Sequence, residues 1–151
     1  MEAPAQITAT KPGDYLEVMT KAVFESGMSW RVVENKWASM TEAVGGWDPE
    51  RIANFGPEDI DRLTSDTRMI RNRKKIESTV HNAETVLALE REFGSFAKYL
   101  KSQGEFEPLV KDMKSRFKHL GNFGCYYFLW VVKEPVPDHH EFREKLKTIG
   151  R

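Results

Sequence analysis

The sequence predicts an all-α fold, formed as a compact helical domain. Apolar residues recur at steps of three and four along most of the chain, as they do on one face of a helix. Capping residues, prolines and glycines divide these stretches into separate helices, and no stretch alternates apolar and polar residues long enough to predict a strand. The 151 residues suffice for one packed domain, which we place at residues 14–151 after a flexible tail at residues 1–13.

The first half of the chain carries start and stop signals for four helices. Asp14 and Glu17 form a D-x-x-E cap, which predicts a helix over residues 15–26. Trp30 opens a second amphipathic pattern, and the pair Gly45–Gly46 ends it. The next two helices are short, and each has a proline in its first helical position, in Asp48–Pro49 and in Gly56–Pro57.

The second half predicts one long helix and several shorter ones. The long helix runs from about Met69 to Phe93. Ser95 caps a short helix after it, and Asp138 caps the last helix of the chain. Between these two we predict an amphipathic helix and then a buried one, with Leu109, Met113 and Phe117 on the apolar face of the first and residues 123–133 forming the second.

Composition narrows the classes of function. The 23 basic and 23 acidic residues balance, so a nucleic-acid or membrane partner would have to use a local patch. The single cysteine, Cys125, excludes an internal disulfide. The N-terminus lacks a signal-peptide pattern, and the most apolar run, residues 123–132, is too short to span a bilayer. We therefore expect a cytoplasmic protein without a membrane partner.

Two segments break the neutral average. Residues 68–75, RMIRNRKK, contain five basic residues and no acidic one. Residues 117–130, FKHLGNFGCYYFLW, place Gly121 and Gly124 in a turn between two helices, where backbone N–H groups at the start of the second helix can hold a phosphate. The simpler interpretations are a solvated helix face for the first segment and an ordinary helical corner for the second.

Five blocks of sequence together resemble a known family. They are SGMSWRVVENKW, DPERIANFGPEDIDRL, MIRNRKKIESTVHNAETVL, EFGSFAKYL and FKHLGNFGCYYFLW. In this order and spacing they resemble the bacterial type I 3-methyladenine DNA glycosylases of the helix-hairpin-helix superfamily, over about Tyr15 to His139. The resemblance implies an all-α fold with a DNA-binding helical hairpin, and a monomer that flips an alkylated base such as 3-methyladenine out of double-stranded DNA and hydrolyses its N-glycosidic bond.

The resemblance also implies roles for individual residues. Gly27 and Met28 correspond to the wedge that fills the space of the flipped nucleotide. Trp30 corresponds to a wall of the base pocket, although the helical pattern alone makes it a core aromatic residue. The DNA backbone contacts implied in this way lie at Lys118, Leu120, Gly121, Asn122, Phe123, Gly124, Arg71 and Arg73.

The chain departs from the family at its carboxylate. Ala22 stands at the pocket position where the family has a carboxylate that recognises the base. Glu25, three residues further along the helix, is the candidate substitute and the one candidate catalytic residue; its simpler interpretation is an exposed glutamate at a helix end. A carboxylate returned to position 22 is accordingly expected to raise activity.

A second departure concerns the family's zinc site and leading aromatic residues. Of the four zinc ligands only His139 has a match, and one histidine does not form a structural zinc site. We therefore expect no metal and no cofactor. Three hypotheses remain: a shortened DNA glycosylase, which we favour; a catalytically degenerate DNA-binding module of the same fold; and a helical interaction protein that does not bind DNA.

Overall fold

The computed structural model describes residues 3–149, and within them the chain forms nine α-helices and no strand. The all-α prediction is confirmed. None of the helices in this part of the chain is long and apolar enough to cross a membrane. The helices are α1 (Pro12–Glu25), α2 (Trp30–Val44), α3 (Pro49–Ala53), α4 (Pro57–Ser65), α5 (Arg73–Phe93), α6 (Phe96–Lys101), α7 (Phe106–Arg116), α8 (Asn122–Val131) and α9 (His139–Ile149).

Several helices begin at the capping residues that the sequence indicates. The Asp48 carboxylate accepts a hydrogen bond from the Glu50 N–H at 3.1 Å, and the Ser95 hydroxyl accepts one from the Lys98 N–H at 3.1 Å. The Asp138 carboxylate caps α9 in the same way. These side chains satisfy N–H groups that the first turn of a helix leaves without intrahelical acceptors.

Two helix starts differ from the prediction. Helix α1 begins at Pro12, because proline suits the first helical turn, and the Asp14 carboxylate binds the Thr10 N–H ahead of the helix at 2.9 Å. Helix α5 begins at Arg73, four residues later than expected from Met69. The reason is the Asn72 side chain, which accepts from the Lys75 N–H at 3.1 Å and forms the N-cap.

Helices α1, α5 and α8 form the centre of the domain. Helix α5 packs against α1, α3, α4 and α6, and α1 also packs against α2 and α8. The predicted buried helix corresponds to α8, where Cys125, Phe128 and Leu129 have no exposed surface. The core is continuous across these elements, since its members include residues from α1 to α8.

An extended segment before α1 lies along α8. We call residues 3–11 the N-terminal strap; they fall within the segment predicted to be a flexible tail. The strap exchanges backbone and side-chain hydrogen bonds of 2.7 to 2.9 Å with α8 and with the turn that follows it. The pairs are Ile7 N–H with Val131 O, Gln6 Nε2 with Trp130 O, Trp130 Nε1 with Pro4 O, and Lys133 Nζ with Thr8 Oγ1.

Candidate functional site

A cavity of about 530 Å³ lies where the strap, α1, α2 and α8 meet. This volume is within the range of small-molecule sites, about 300–1,000 Å³. Its polar lining carries three carboxylates and one amine, and its aromatic lining consists of a tryptophan and a tyrosine. The residues around it are Ala3, Pro4, Ala5, Ile7, Glu17, Val18, Lys21, Glu25, Trp30, Glu34, Tyr127 and Val131.

The spacing of residues on α1 explains which side chains reach the cavity. Glu17, Lys21 and Glu25 follow one another at steps of four, so they lie on one face of the helix. Ala22 follows Lys21 in the sequence and therefore lies on a different face of the helix. It is 4% exposed and belongs to the core. A Cβ atom built on Gly124 of α8 would lie 3.9 Å from the Ala22 Cβ. Ala22 therefore packs against α8 and does not line the cavity.

Glu25 is the unusual carboxylate of the cavity. Its Oε1 atom is buried and has no hydrogen-bond partner among the described residues. Burial raises the pKa of Glu25, with a further increase from Glu34, whereas Lys21 and the nearby Tyr127 hydroxyl lower the pKa. The interpretation of Glu25 as an exposed glutamate is wrong. A half-buried acceptor without a partner is suited to binding a ligand that donates a hydrogen bond.

The other two carboxylates already have partners. The Glu17 carboxylate accepts a hydrogen bond from Trp37 Nε1 at 2.9 Å. Glu34 forms an ion pair with Lys21, with 2.6 Å between Oε1 and Nζ. Glu25 also has a side-chain hydrogen bond, to Tyr127, but it differs from both in having a buried oxygen, Oε1, without a partner among the described residues. The excess of three acidic groups over one amine favours a cationic or electron-poor ligand.

The loop between α1 and α2 exposes apolar side chains beside the cavity. Gly27 has a φ of 71°, which favours glycine. Met28 and Trp30 follow it and are 37% and 44% exposed. The Trp30 ring lines the cavity, and the Arg31 guanidinium lies 5.7 Å from its centroid. The interpretation of Trp30 as a core aromatic residue is therefore wrong.

Lys75 holds this loop, a role that the sequence did not indicate. Its ammonium group donates to the carbonyl oxygens of Phe24 at 3.0 Å and Ser26 at 2.6 Å, at the end of α1. The side chain is buried, and burial lowers the pKa of Lys75. The lysine satisfies carbonyl groups that the end of a helix leaves free. The sequence did not distinguish Lys75 from the other basic residues of segment 68–75.

The predicted hairpin consists of α7, a short turn and α8. Gly121 is the N-cap of α8, and the N–H groups of the next residues start the helix. The Leu120 side chain is buried, and Phe123 is 62% exposed. A Cβ atom on Gly124 would lie 3.0 Å from Leu120 Cδ1, so the absence of a side chain lets the turn close against α8. The Asn122 side chain accepts from Lys114 Nζ at 2.9 Å.

Helix α5 fixes the position of the hairpin turn. The Asn82 amide both accepts from the Lys118 N–H at 2.9 Å and donates to the Lys118 carbonyl at 3.1 Å. Ser78 Oγ lies 2.6 Å from His119 Nδ1, and His119 has a φ of 58°. Because Lys75 and Ser78 are three residues apart on α5, one stretch of this helix holds both the Met28 loop and the hairpin.

The basic segment 68–75 is not a uniform cationic face. Arg68 pairs with Asp66 and Glu42, Arg73 pairs with Asp61, and Lys75 is buried. Arg71 is exposed and makes no ion pair with any residue that the structure describes. The same holds for Lys118 in the hairpin. Of the cations predicted to contact DNA, these two are available, whereas Arg73 is already paired.

Within residues 3–149 no group of three histidine, cysteine, aspartate or glutamate side chains is placed to hold a metal ion. His139 Nε2 accepts a hydrogen bond from Arg143 at 3.2 Å. Burial raises the pKa of Cys125 to about 12, which suits a core residue and not a nucleophile.

Comparison with known proteins places this geometry in context. The sequence model of the methyladenine glycosylase family matches residues 9–122. DNA-3-methyladenine glycosylase of Haemophilus influenzae is 35% identical over 59% of this chain and 48% of that protein; the match therefore spans about half of the relative's length. DNA-3-methyladenine glycosylase 1 of Escherichia coli K12 is 28% identical over 70% of this chain and 67% of that protein.

Solved structures extend the likeness to the fold. The structure of 3-methyladenine DNA glycosylase I from Staphylococcus aureus has a TM-score of 0.75 and 26% identity, over 85% of this chain and 79% of that one. A second structure is a tyrosine-to-phenylalanine variant of 3-methyladenine DNA glycosylase I in complex with 3-methyladenine. It gives a TM-score of 0.74 at 26% identity, over 85% of this chain and 80% of that one.

Proposed function

Because the chain belongs to the methyladenine glycosylase family, we propose that it is a DNA repair glycosylase that excises an alkylated base such as 3-methyladenine. The observation that carries this proposal is the unpaired Glu25 oxygen in a cavity that Trp30 also lines. The named relatives are 3-methyladenine glycosylases, and one similar solved structure holds 3-methyladenine. In this proposal the damaged base leaves the duplex and enters the cavity.

Double-stranded DNA binds across the loop, the start of α5 and the hairpin. Met28, on the loop that Gly27 begins, enters the stack where the base has left and replaces part of the lost stacking. The N–H groups at the start of α8 hold a phosphate, assisted by Lys118 and Arg71. Arg73 contributes less, because contact with a phosphate would compete with its pairing to Asp61.

The cavity stabilises the departure of the base. Water adds to C1′ of the sugar as the bond from C1′ to the base nitrogen breaks. The cationic base takes the bonding electron pair and leaves as a neutral molecule, and the added water releases one proton to the solvent. A purine alkylated on a ring nitrogen already carries positive charge, so it needs little protonation to leave. The Glu25 carboxylate accepts a hydrogen bond from the base, and its negative charge stabilises the positive charge that develops on the sugar. Trp30 offers a flat face for stacking.

A catalytically degenerate DNA-binding module is the second candidate. The observation that favours it is the buried alanine at position 22, where the family resemblance expects a carboxylate. Such a module would keep the loop and the hairpin and bind DNA without turnover. Under either candidate we infer a monomer that needs no cofactor and acts on DNA in the cytoplasm.

An excision assay separates the two candidates. The protein is incubated with duplex DNA that contains 3-methyladenine, released base is measured by mass spectrometry, and duplex binding is measured on the same preparation. The glycosylase proposal expects release above the spontaneous rate. Binding to the duplex without release would instead support the binding module, and absence of both would support the interaction protein.

A further inference from the structure

The strap forms a wall of the cavity from short, uncharged side chains. Ala3, Pro4, Ala5 and Ile7 line it, and none of them is aromatic or charged. The cavity's ring systems come from α2 and α8, in Trp30 and Tyr127. Among the described residues, no second ring stacks on Trp30. A base that stacks on Trp30 would therefore meet no further aromatic plane from the strap.

The main chain of the strap is fixed, so the short side chains leave real space. The Ile7 N–H donates to Val131 O at 2.8 Å, and Trp130 Nε1 donates to Pro4 O at 2.9 Å. These bonds secure the strap to α8 on both sides of Ala5. Ala5 lines the cavity with a single methyl group, so we expect a longer side chain at this position to take up part of the cavity.

The cavity is larger than a methylated purine requires. At about 530 Å³ it lies within the range that accommodates drug-sized ligands, and a single methylated base is smaller than such a ligand. A pocket excludes a larger substituent only where atoms already occupy the space, and removing or adding a methylene there changes selectivity by about 10- to 200-fold. The strap supplies few such atoms.

We propose that this cavity accepts purines whose ring nitrogen carries a substituent larger than methyl, in addition to methylated purines. The inference rests on the proposed glycosylase function and specifies its substrate class. The positive charge of an N-alkylated purine lies on the ring, so a longer alkyl chain leaves both its attraction to the carboxylates and its quality as a leaving group intact. The volume of the cavity then decides between substrates, and Ala5 is one of the strap residues that line it.

The test uses two batches of duplex DNA, one carrying N-methylated purines and the other N-butylated purines. Bases released by the full chain are identified by mass spectrometry and corrected for spontaneous loss. Wild type is compared with Ala5→Leu, which lengthens a side chain of the strap at an exposed position that tolerates the change. Ala97→Leu on the exposed side of α6 is the matched control, since it adds the same atoms at a position that does not line the cavity.

We expect wild type to release both classes of base and Ala5→Leu to reduce butylpurine release about tenfold more than methylpurine release, while Ala97→Leu matches wild type. Release of methylpurines alone by wild type would overturn the inference and leave the proposed function standing. Equal losses for both classes in Ala5→Leu would also overturn it. Release of neither class would reject the proposed function itself, and the inference with it.

Discussion

Glu25, the residue that we propose as the catalytic carboxylate, lies in an unfavourable environment for a charged group. Burial raises its pKa, so the folded state holds the proton of this carboxyl group more tightly than the unfolded state does. The preference of the folded state for the protonated carboxyl group contributes fully to the free energy of unfolding at pH values below 4.5, the ordinary pKa of glutamate. This contribution is lost as the pH rises through the raised pKa of the folded state. The carboxylate is thus kept at a cost to stability, as is common where a group serves binding or catalysis.

This linkage gives a prediction for Glu25→Gln. The variant lacks the ionisation penalty, so its free energy of unfolding should exceed that of wild type at pH 8, and the difference should shrink as pH falls to 5. Denaturant unfolding across this range measures the difference. Glu84→Gln, at an exposed position on α5, is the control and should show no such trend. A difference that grows toward acidic pH would contradict the environment assigned to Glu25.

Ala22 shows the opposite situation, a position that the sequence assigns to the pocket and the structure places in the core. Ala22→Glu would introduce a carboxyl group between α1 and α8, near Leu120 and Gly124. We expect it to destabilise the fold by about 1–3 kcal/mol or more and not to raise activity, which reverses the expectation from sequence. Chemical denaturation checks this, with Ala97→Glu on the surface as the comparison. A stable, more active Ala22→Glu protein would show that this side chain reaches the cavity.

At the scale of elements, the first turns of α5 organise the surface that we propose to face DNA. Lys75 holds the end of α1, Ser78 contacts His119, and Asn82 binds the main chain of Lys118. A single helix therefore sets the distance between the exposed Met28 and the N-terminus of α8. Such an arrangement preorganises both contacts before DNA arrives, which reduces the ordering cost of binding.

The same region yields a prediction that separates two neighbouring arginines. Arg71→Glu should weaken binding to duplex DNA and reduce the slope of log K against log salt by about 0.9, the value for one lost phosphate contact. Arg73→Glu should have a smaller effect on this slope, because Arg73 is already paired with Asp61. Binding titrations at several salt concentrations provide the measurement. Equal effects of the two substitutions, or a larger one for Arg73, would contradict the assigned contacts.

Local signals predicted the helices well and their tertiary contacts poorly. The caps at Asp48, Ser95 and Asp138 act within three residues of themselves, so the sequence contains all the information they need. Arg73 pairs with a residue twelve positions away, and Lys75 binds Phe24 fifty-one positions away. No periodic pattern contains such contacts, and for this reason the sequence of segment 68–75 did not indicate that Arg73 is paired or that Lys75 is buried.

At the scale of the whole molecule, the candidate site depends on how distant parts of the chain meet. The resemblance correctly indicated the family and assigned Trp30 to the base pocket. Glu25 was the candidate substitute for the carboxylate missing at position 22, and the cavity contains both Glu25 and Trp30. The resemblance did not indicate that the strap would lie on α8 or that Ala22 would face away. Both features depend on the packing of α1 against α8. The periodicity of apolar residues shows which face of a helix is buried, but it does not show which other helix covers that face.

The molecule as a whole carries no net charge, so the action on DNA that we propose must rely on local groups. We assign binding to the loop, the start of α5 and the hairpin, and the breaking of the N-glycosidic bond to the cavity. Substitutions in the first group should alter the dissociation constant for duplex DNA. Substitution of Glu25 should alter the rate of excision after DNA has bound.

The single-turnover rate of base release at saturating protein tests this assignment most directly. On duplex DNA that contains 3-methyladenine, Glu25→Gln should excise the base roughly 10- to 100-fold more slowly than wild type, the effect of about 1.5–3 kcal/mol for a hydrogen bond to a charged group. Its affinity for undamaged duplex, and the excision rate of Glu84→Gln, should equal those of wild type. An unchanged rate in Glu25→Gln would contradict the assignment, because the carboxylate at the cavity would then have no part in the reaction.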